Sequence, residues 1–143
     1  YAAHSERYAG YTLRQVCNEM HRFYRDANVK ELQRLCFRAS SFPELAMSPK
    51  DAYEALVSND VDYVPLEDIK DRISATLALI YPPGIGVVLP GERWDERARP
   101  MLDYFLTFQE SFNRFPGFNY EVQGVYQEKV DGRIKFHTYV VRK

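Results

Sequence analysis

The chain has 143 residues and sets 19 basic against 20 acidic side chains, a net charge of −1. That balance gives no electrostatic reason to expect nucleic acid or an anionic membrane as a partner, and 45% apolar residues argue against a disordered chain. No apolar run approaches the roughly 20 residues of a membrane span; the run around Ala75–Ile80 is broken by Pro82 and Pro83.

A single domain over residues 1–143 is expected, because a chain of this size buries roughly two-thirds of its unfolded surface. It starts at Tyr1 with no Met nearby, and Tyr1–Gly10 is mixed and polar rather than a signal peptide. This reads as a piece of a longer polypeptide, although a mature form made by proteolysis reads the same way. The 11 tyrosines hint at packing against other protein, since a buried phenol needs a partner for its hydroxyl.

In chain order, Thr12 and Gln15 form a capping box that starts a helix over about Thr12–Ala27, with Leu13, Val16, Cys17, Met20 and Tyr24 at helical spacing. Asn28 and Glu31 repeat that logic for a second helix carrying Val29, Leu32, Leu35 and Cys36, ending before Pro43. Both cysteines fall on apolar faces, so the expectation is two buried free thiols in a reducing cytoplasm. Ser48, Pro49 and Asp51 start a third helix that stops near Ser58-Asn59-Asp60. Val61–Leu66 is short, with Pro65 arguing against a central strand. Arg72–Ile80 reads as a buried strand and Ile85–Leu89 as a second extended run. Pro100 opens the longest helix, to about Phe115, with Met101, Leu102, Phe105, Leu106, Phe108 and Phe112 on its apolar face. The C-terminus reads as a hairpin of Tyr120–Gln127 and Arg133–Val141 around an Asp131-Gly132 turn. The fold class is α+β: N-terminal helices, a small mostly antiparallel sheet, one long helix and a C-terminal β-hairpin.

Tyr81-Pro82-Pro83-Gly84 is the best site candidate. The prolines fix their own φ and extend the residues before them, and the glycine allows a turn or a close approach. Such a segment is rigid without belonging to a ladder, which suits a phenol that must be aimed; on the residues alone the favoured reading is the plainer one, a stiff turn out of a buried strand with Tyr81 packed. Glu92, after Pro90-Gly91, could be a positioned carboxylate or a solvated loop residue. The histidines are His4, His21 and His137. Cys17 and His21 lie four apart on one helix, half of a metal site with no second pair at ligand spacing. There is no Gly-x-Ser-x-Gly elbow or P-loop, and Gly84-Ile85-Gly86 lacks the third glycine of a dinucleotide motif. Arg14 lies in the first turn of a helix, whose N-terminus attracts anions; the plain alternative is an exposed helix arginine.

Tyr81-Pro82-Pro83-Gly84-Ile85 followed by Val87-Val88-Leu89-Pro90-Gly91-Glu92 resembles a signature of the prokaryotic ornithine/lysine/arginine decarboxylases. So do Phe115-Pro116-Gly117-Phe118 before Glu121-Val122-Gln123-Gly124-Val125-Tyr126, and Gly10-Tyr11-Thr12-Leu13-Arg14-Gln15 through Glu19-Met20-His21. The resemblance runs in order over nearly the whole chain. It implies the C-terminal domain of a larger polypeptide that decarboxylates a basic amino acid with pyridoxal phosphate, whose ring accepts the electrons left when CO2 departs. The cofactor lysine would lie in an upstream domain; Lys30, Lys50, Lys70, Lys129, Lys135 and Lys143 are not in the family's Ser-x-His-Lys context.

By the same resemblance, no catalytic residue and no metal ligand is expected in this fragment. Tyr81 matches the tyrosine that reaches into the substrate pocket, and Arg14 an arginine that in some lysine decarboxylases contacts a guanine nucleotide effector at a subunit interface. Gly86 and Val87 stand where the lysine and arginine enzymes often read Pro-Leu. Tyr-Phe-Leu at 104–106 and Gln-Gly-Val-Tyr at 123–126 look closer to the ornithine type. The implied partners are the upstream domain, a homo-oligomer and the basic amino acid, in the cytoplasm. The competing expectation is a stand-alone regulatory or nucleotide-binding module.

Overall fold

The computed structural model describes residues 6–82 and 84–143. Helix α1 spans Leu13–Asp26, and its capping box forms as expected: Thr12 Oγ1 accepts from Gln15 N at 3.3 Å and Gln15 Oε1 accepts from Thr12 N at 2.7 Å. Helix α2 spans Val29–Cys36, but the side-chain cap expected of Asn28 does not form. Asn28 is the turn between the two helices. Its N–H is spent on Arg25 O at 2.9 Å and its φ is 54, a left-handed conformation that Asn tolerates and in which the chain reverses within two residues. Glu31 turns instead to Arg34, whose Nε donates to it at 2.7 Å. Helix α3, Pro49–Val57, opens on Ser48, whose Oγ accepts from Asp51 N at 3.1 Å.

Two small antiparallel sheets follow, joined by one long helix. The first has the strand order β1-β5-β4, with β1 Val61–Pro65, β4 Tyr126–Val130 and β5 Arg133–Val141. The second pairs β2, Leu79–Tyr81, with β3, Glu121–Gln123. Helix α4, Arg99–Arg114, lies against β5 and buries Met101, Phe105, Phe108 and Phe112. Alternation along β5 works as expected. Phe136, Thr138 and Val140 are buried towards α4 and the core, while Lys135, His137 and Tyr139 on the other face are half-buried.

Strand β1 stops at Pro65, opposite His137, because proline has no N–H to continue the ladder. Beyond that point β5 has lost its neighbour on one side, and α4 takes over through side-chain amides. Gln109 Oε1 accepts from Phe136 N at 2.6 Å, and Asn113 both accepts from Ile134 N at 2.7 Å and donates to Ile134 O at 2.9 Å. Buried backbone groups that leave a ladder must find such partners.

The strand expected over Arg72–Ile80 is confined to its end, Leu79–Tyr81. The stretch before it is largely buried, but its hydrogen bonds go to three different segments: Ser74 N to Glu92 O at 2.8 Å, Ala75 N to Tyr139 O at 3.0 Å and Ala78 N to Val88 O at 2.9 Å. Ile85–Leu89 likewise forms no strand, only an isolated bridge from Val88 to Ala78. The expected first hairpin arm is also divided. Gly124, at φ 71, separates β3, which pairs with β2, from β4, which pairs with β5.

The division is held by a buried polar cluster. The Gly124 carbonyl faces Thr138 Oγ1 at 2.6 Å and Thr76 Oγ1 at 3.0 Å, and the two hydroxyls lie 2.9 Å apart. Each hydroxyl carries one proton, so two of these three contacts are hydrogen bonds at any instant. A Cβ on Gly124 would stand 2.0 Å from Leu77 O, so only glycine lets the two backbones close.

Cys36 is buried and its thiol is pushed up to about 12 by desolvation, whereas Cys17, expected to be buried, is exposed. The helical repeat that placed Cys17 beside Val16 is real, but α1 buries only a narrow stripe and Cys17 falls outside it. A maleimide at neutral pH should therefore modify Cys17 in the folded protein and Cys36 only on unfolding, as peptide mass mapping would show. Thr138→Val should cost about 1–3 kcal/mol in urea unfolding, because it strips a donor from a buried carbonyl; unchanged stability would mean that the Thr138 hydroxyl contributes nothing.

Candidate functional site

Tyr81 is the last residue of β2, opposite Glu121 of β3. Leu79 and Ile80 before it are buried, whereas Tyr81 is 52% exposed. The chain turns at once: Gly84 N donates to Ile80 O at 3.3 Å, and the Tyr81 ring lies against the Gly84 Cα. Among the described residues the Tyr81 hydroxyl has no hydrogen-bond partner, so the phenol is held at its ring and free at its tip. In the chain on either side of it, Leu77, Ile85 and Leu89 are 41%, 54% and 44% exposed. Leu77 and Leu89 both reach over Gly86, where a Cβ would stand 2.7 and 3.1 Å from their methyl groups. The end of β2 and the segments flanking it therefore expose apolar side chains and a hydroxyl that has no partner among the described residues, a surface suited to closing a pocket whose other walls belong to something else.

Glu92 has a structural task. Its Oε2 accepts from Leu89 N at 2.7 Å and so closes the Leu89–Glu92 turn, and burial raises its pKa above the ordinary carboxylate value. Gly91 N bonds to Ser74 O at 2.8 Å in the same bend. Glu92, read as a positioned carboxylate or a solvated loop residue, is thus positioned, as the anchor of its own turn.

Arg14 is exposed in the first turn of α1, which contains no acidic residue, and among the described residues it makes no hydrogen bond or ion pair. Nothing joins it to Tyr81. One turn further along α1 a cavity of about 720 Å³ is lined by Gln15, Asn18, Arg22 and Arg114 among others. Glu19 in its wall pairs with Arg7 at 3.1 Å and with Arg114 at 3.4 Å. Arg22 in that wall was not singled out from the sequence, where it is one charge among many on a polar helix face.

His21 is exposed and His137 stacks on Tyr63, ring centres 5.1 Å apart; His4 lies outside the described residues. Among the described residues no three His, Cys, Asp or Glu side chains gather to hold a metal ion. Nor do these residues fit pyridoxal phosphate. Lys30, Lys50, Lys70, Lys129 and Lys143 are exposed, and Lys135 is tied to Glu67, so no lysine is the desolvated amine that a cofactor linkage needs.

The family described as Orn/Lys/Arg decarboxylase, C-terminal domain, matches residues 30–142. The chain belongs to this family. It is 46% identical over 142 residues to an ornithine decarboxylase of Haemophilus influenzae and 47% identical to an inducible ornithine decarboxylase of Escherichia coli, in each case over 99% of this chain and 19% of the relative. A lysine decarboxylase of Pseudomonas aeruginosa is 42% identical over 92% of this chain. Among solved structures, lysine decarboxylase A from Pseudomonas aeruginosa superposes with a TM-score of 0.89 at 32% identity, covering 99% of this chain and 19% of that one. The chain thus spans about a fifth of the length of the curated relatives it matches. The Orn/Lys/Arg decarboxylase match contains Tyr81, Gly84 and Glu92; Arg14 precedes it.

Glu92→Gln should test the anchoring role. The amide oxygen still accepts from Leu89 N, and the half-buried charge is gone. Because the native pKa is raised, the native state holds that proton more tightly than the unfolded chain, so wild-type stability at this site improves as pH falls towards the unfolded carboxylate value. The variant should match or exceed the wild-type Tm at pH 7 and lose that margin below about pH 4.

Proposed function

We propose that this domain completes the substrate pocket of a pyridoxal-phosphate-dependent decarboxylase acting on a basic amino acid, with ornithine converted to putrescine as the first choice and lysine or arginine converted to cadaverine or agmatine as the others. Support comes above all from the exposed Tyr81 at the end of β2 within the family match, its hydroxyl without a partner among the described residues, with exposed Leu77, Ile85 and Leu89 on either side of it in the chain. Greater similarity to ornithine decarboxylases than to the lysine decarboxylases favours ornithine.

In this reading the cofactor belongs to the larger part of the enzyme and supplies the electron sink for decarboxylation. This chain contributes a hydroxyl that can bond the polar end of the substrate, and Leu77, Ile85 and Leu89 to keep water from it. The exposed apolar residues Leu13, Leu45, Tyr53 and Val57 support contacts with the rest of the enzyme and with further subunits. No helix among the described residues is long and apolar enough to cross a membrane, which accords with a cytoplasmic enzyme.

Arg14, a cation at a helix N-terminus without a partner among the described residues, is proposed as an anion contact for a guanine nucleotide effector at a subunit boundary. The same feature carries the second reading, a regulatory module without activity of its own.

The test is kinetic, in the full-length enzyme. Tyr81→Phe should raise KM for the preferred amino acid or lower kcat/KM by about tenfold, the effect of losing one hydrogen bond of ordinary strength. Unchanged kinetics would remove Tyr81 from the pocket. Calorimetric titration with a guanine nucleotide should give heat that Arg14→Ala abolishes; equal heats would remove Arg14.

A further inference from the structure

The position of the Tyr81 ring depends on what Gly84 lacks. The turn after β2 brings Gly84 back beneath the ring at φ +78. A Cβ at this position would stand 2.6 Å from Tyr81 Cδ2 and 3.0 Å from Cε2, where ordinary contact begins at 3.4 Å. No backbone atom is the near neighbour; the clash is with the ring alone. The ring's pivot is fixed, because Tyr81 is paired to Glu121 and Ile80 before it is buried. Relief must therefore come from rotation of the side chain, and the hydroxyl, farthest from the pivot, moves most.

We propose that Gly84 is a positioning residue for the decarboxylation. Its bare Cα is the floor on which the Tyr81 ring lies, and any side chain there would swing the phenol away from the substrate. The proposal rests on the reading of Tyr81 as a substrate contact. Two requirements meet at Gly84: a left-handed backbone and the absence of Cβ. They can be separated, because Gly132 has the same φ of +78 with nothing within 4 Å of a Cβ. A substitution at Gly132 carries the backbone strain without the ring contact.

Steady-state kinetics on the full-length enzyme, with its preferred basic amino acid, decide the matter. Gly84→Ala should lower kcat/KM by up to about tenfold, the loss expected of Tyr81→Phe, because it misplaces the same hydroxyl. Gly84→Asn should do the same, since Asn accepts the left-handed backbone but keeps the Cβ; it also serves if the alanine variant fails to fold. Gly132→Ala should stay near wild type. In a Tyr81→Phe background Gly84→Asn should add no further loss, because the hydroxyl it misplaces is already gone.

Wild-type kinetics for Gly84→Asn beside an impaired Tyr81→Phe would overturn this proposal alone. An equal loss from Gly84→Asn in both backgrounds would do so too, by making the effect merely structural. Wild-type kinetics for Tyr81→Phe would overturn the substrate-contact reading and this proposal with it.

Discussion

The carbonyl of Gly124 is the point at which the two halves of the sheet structure meet. Thr138 from β5 and Thr76 from the segment before β2 both close on it, and the Gly124 backbone passes within van der Waals range of Leu77 O. The chain from β3 to β4 could have run on as one long hairpin arm beside β5. The positive φ at Gly124 and this grip on its carbonyl turn β3 aside to pair with β2. Once β3 is there, β2 has a ladder partner, and the residue at the end of that ladder is Tyr81. The position of the phenol is thus a downstream consequence of a hydrogen-bonded cluster that ties Thr76, five residues before it, to Gly124 and Thr138, more than forty residues after it.

A second constraint acts through proline. Pro65 ends β1 just over half-way along β5, which would leave buried N–H and C=O groups on Ile134 and Phe136. Gln109 and Asn113, one turn apart on α4, satisfy them with side-chain amides. These bonds and the packing of Phe105, Phe108 and Phe112 dock α4 in one register against β5. An amphipathic helix held by apolar contacts alone can slide; one that completes a sheet edge cannot do so without orphaning buried polar groups. The same logic explains Glu92: a carboxylate that accepts from Leu89 N closes the Leu89–Glu92 turn.

The family and the class of fold were legible in the residues because they are written in short-range patterns. The Thr12–Gln15 capping box, Ser48-Pro49, and Pro100 with the phenylalanine spacing behind it each depend on neighbours within a turn or two of helix, and each formed as read. The failures share a physical cause. Arg72–Ile80 looked like a strand because it is apolar and β-branched, yet its hydrogen bonds go to three partners distant in sequence, and no periodicity records a partner's identity. Asn28 looked like a cap and serves as a left-handed turn residue, a use open to the same side chain. Cys17 sits at helical spacing but just outside the stripe that the rest of the protein covers.

Tyr81-Pro82-Pro83-Gly84 shows the division most plainly. By itself the sequence determined that a phenol would stand at a stiff exit from an extended segment, since the prolines' ring geometry and the glycine's freedom are local properties, and it marked the family through the order of its motifs. Only the tertiary structure decided that Gly84 returns beneath the ring, that the hydroxyl stays unpartnered among the described residues, and that Leu77 and Leu89 meet over Gly86. Those outcomes follow from where β2 finds its partner, and that is set by Gly124, Thr76 and Thr138, residues whose meeting no local pattern encodes.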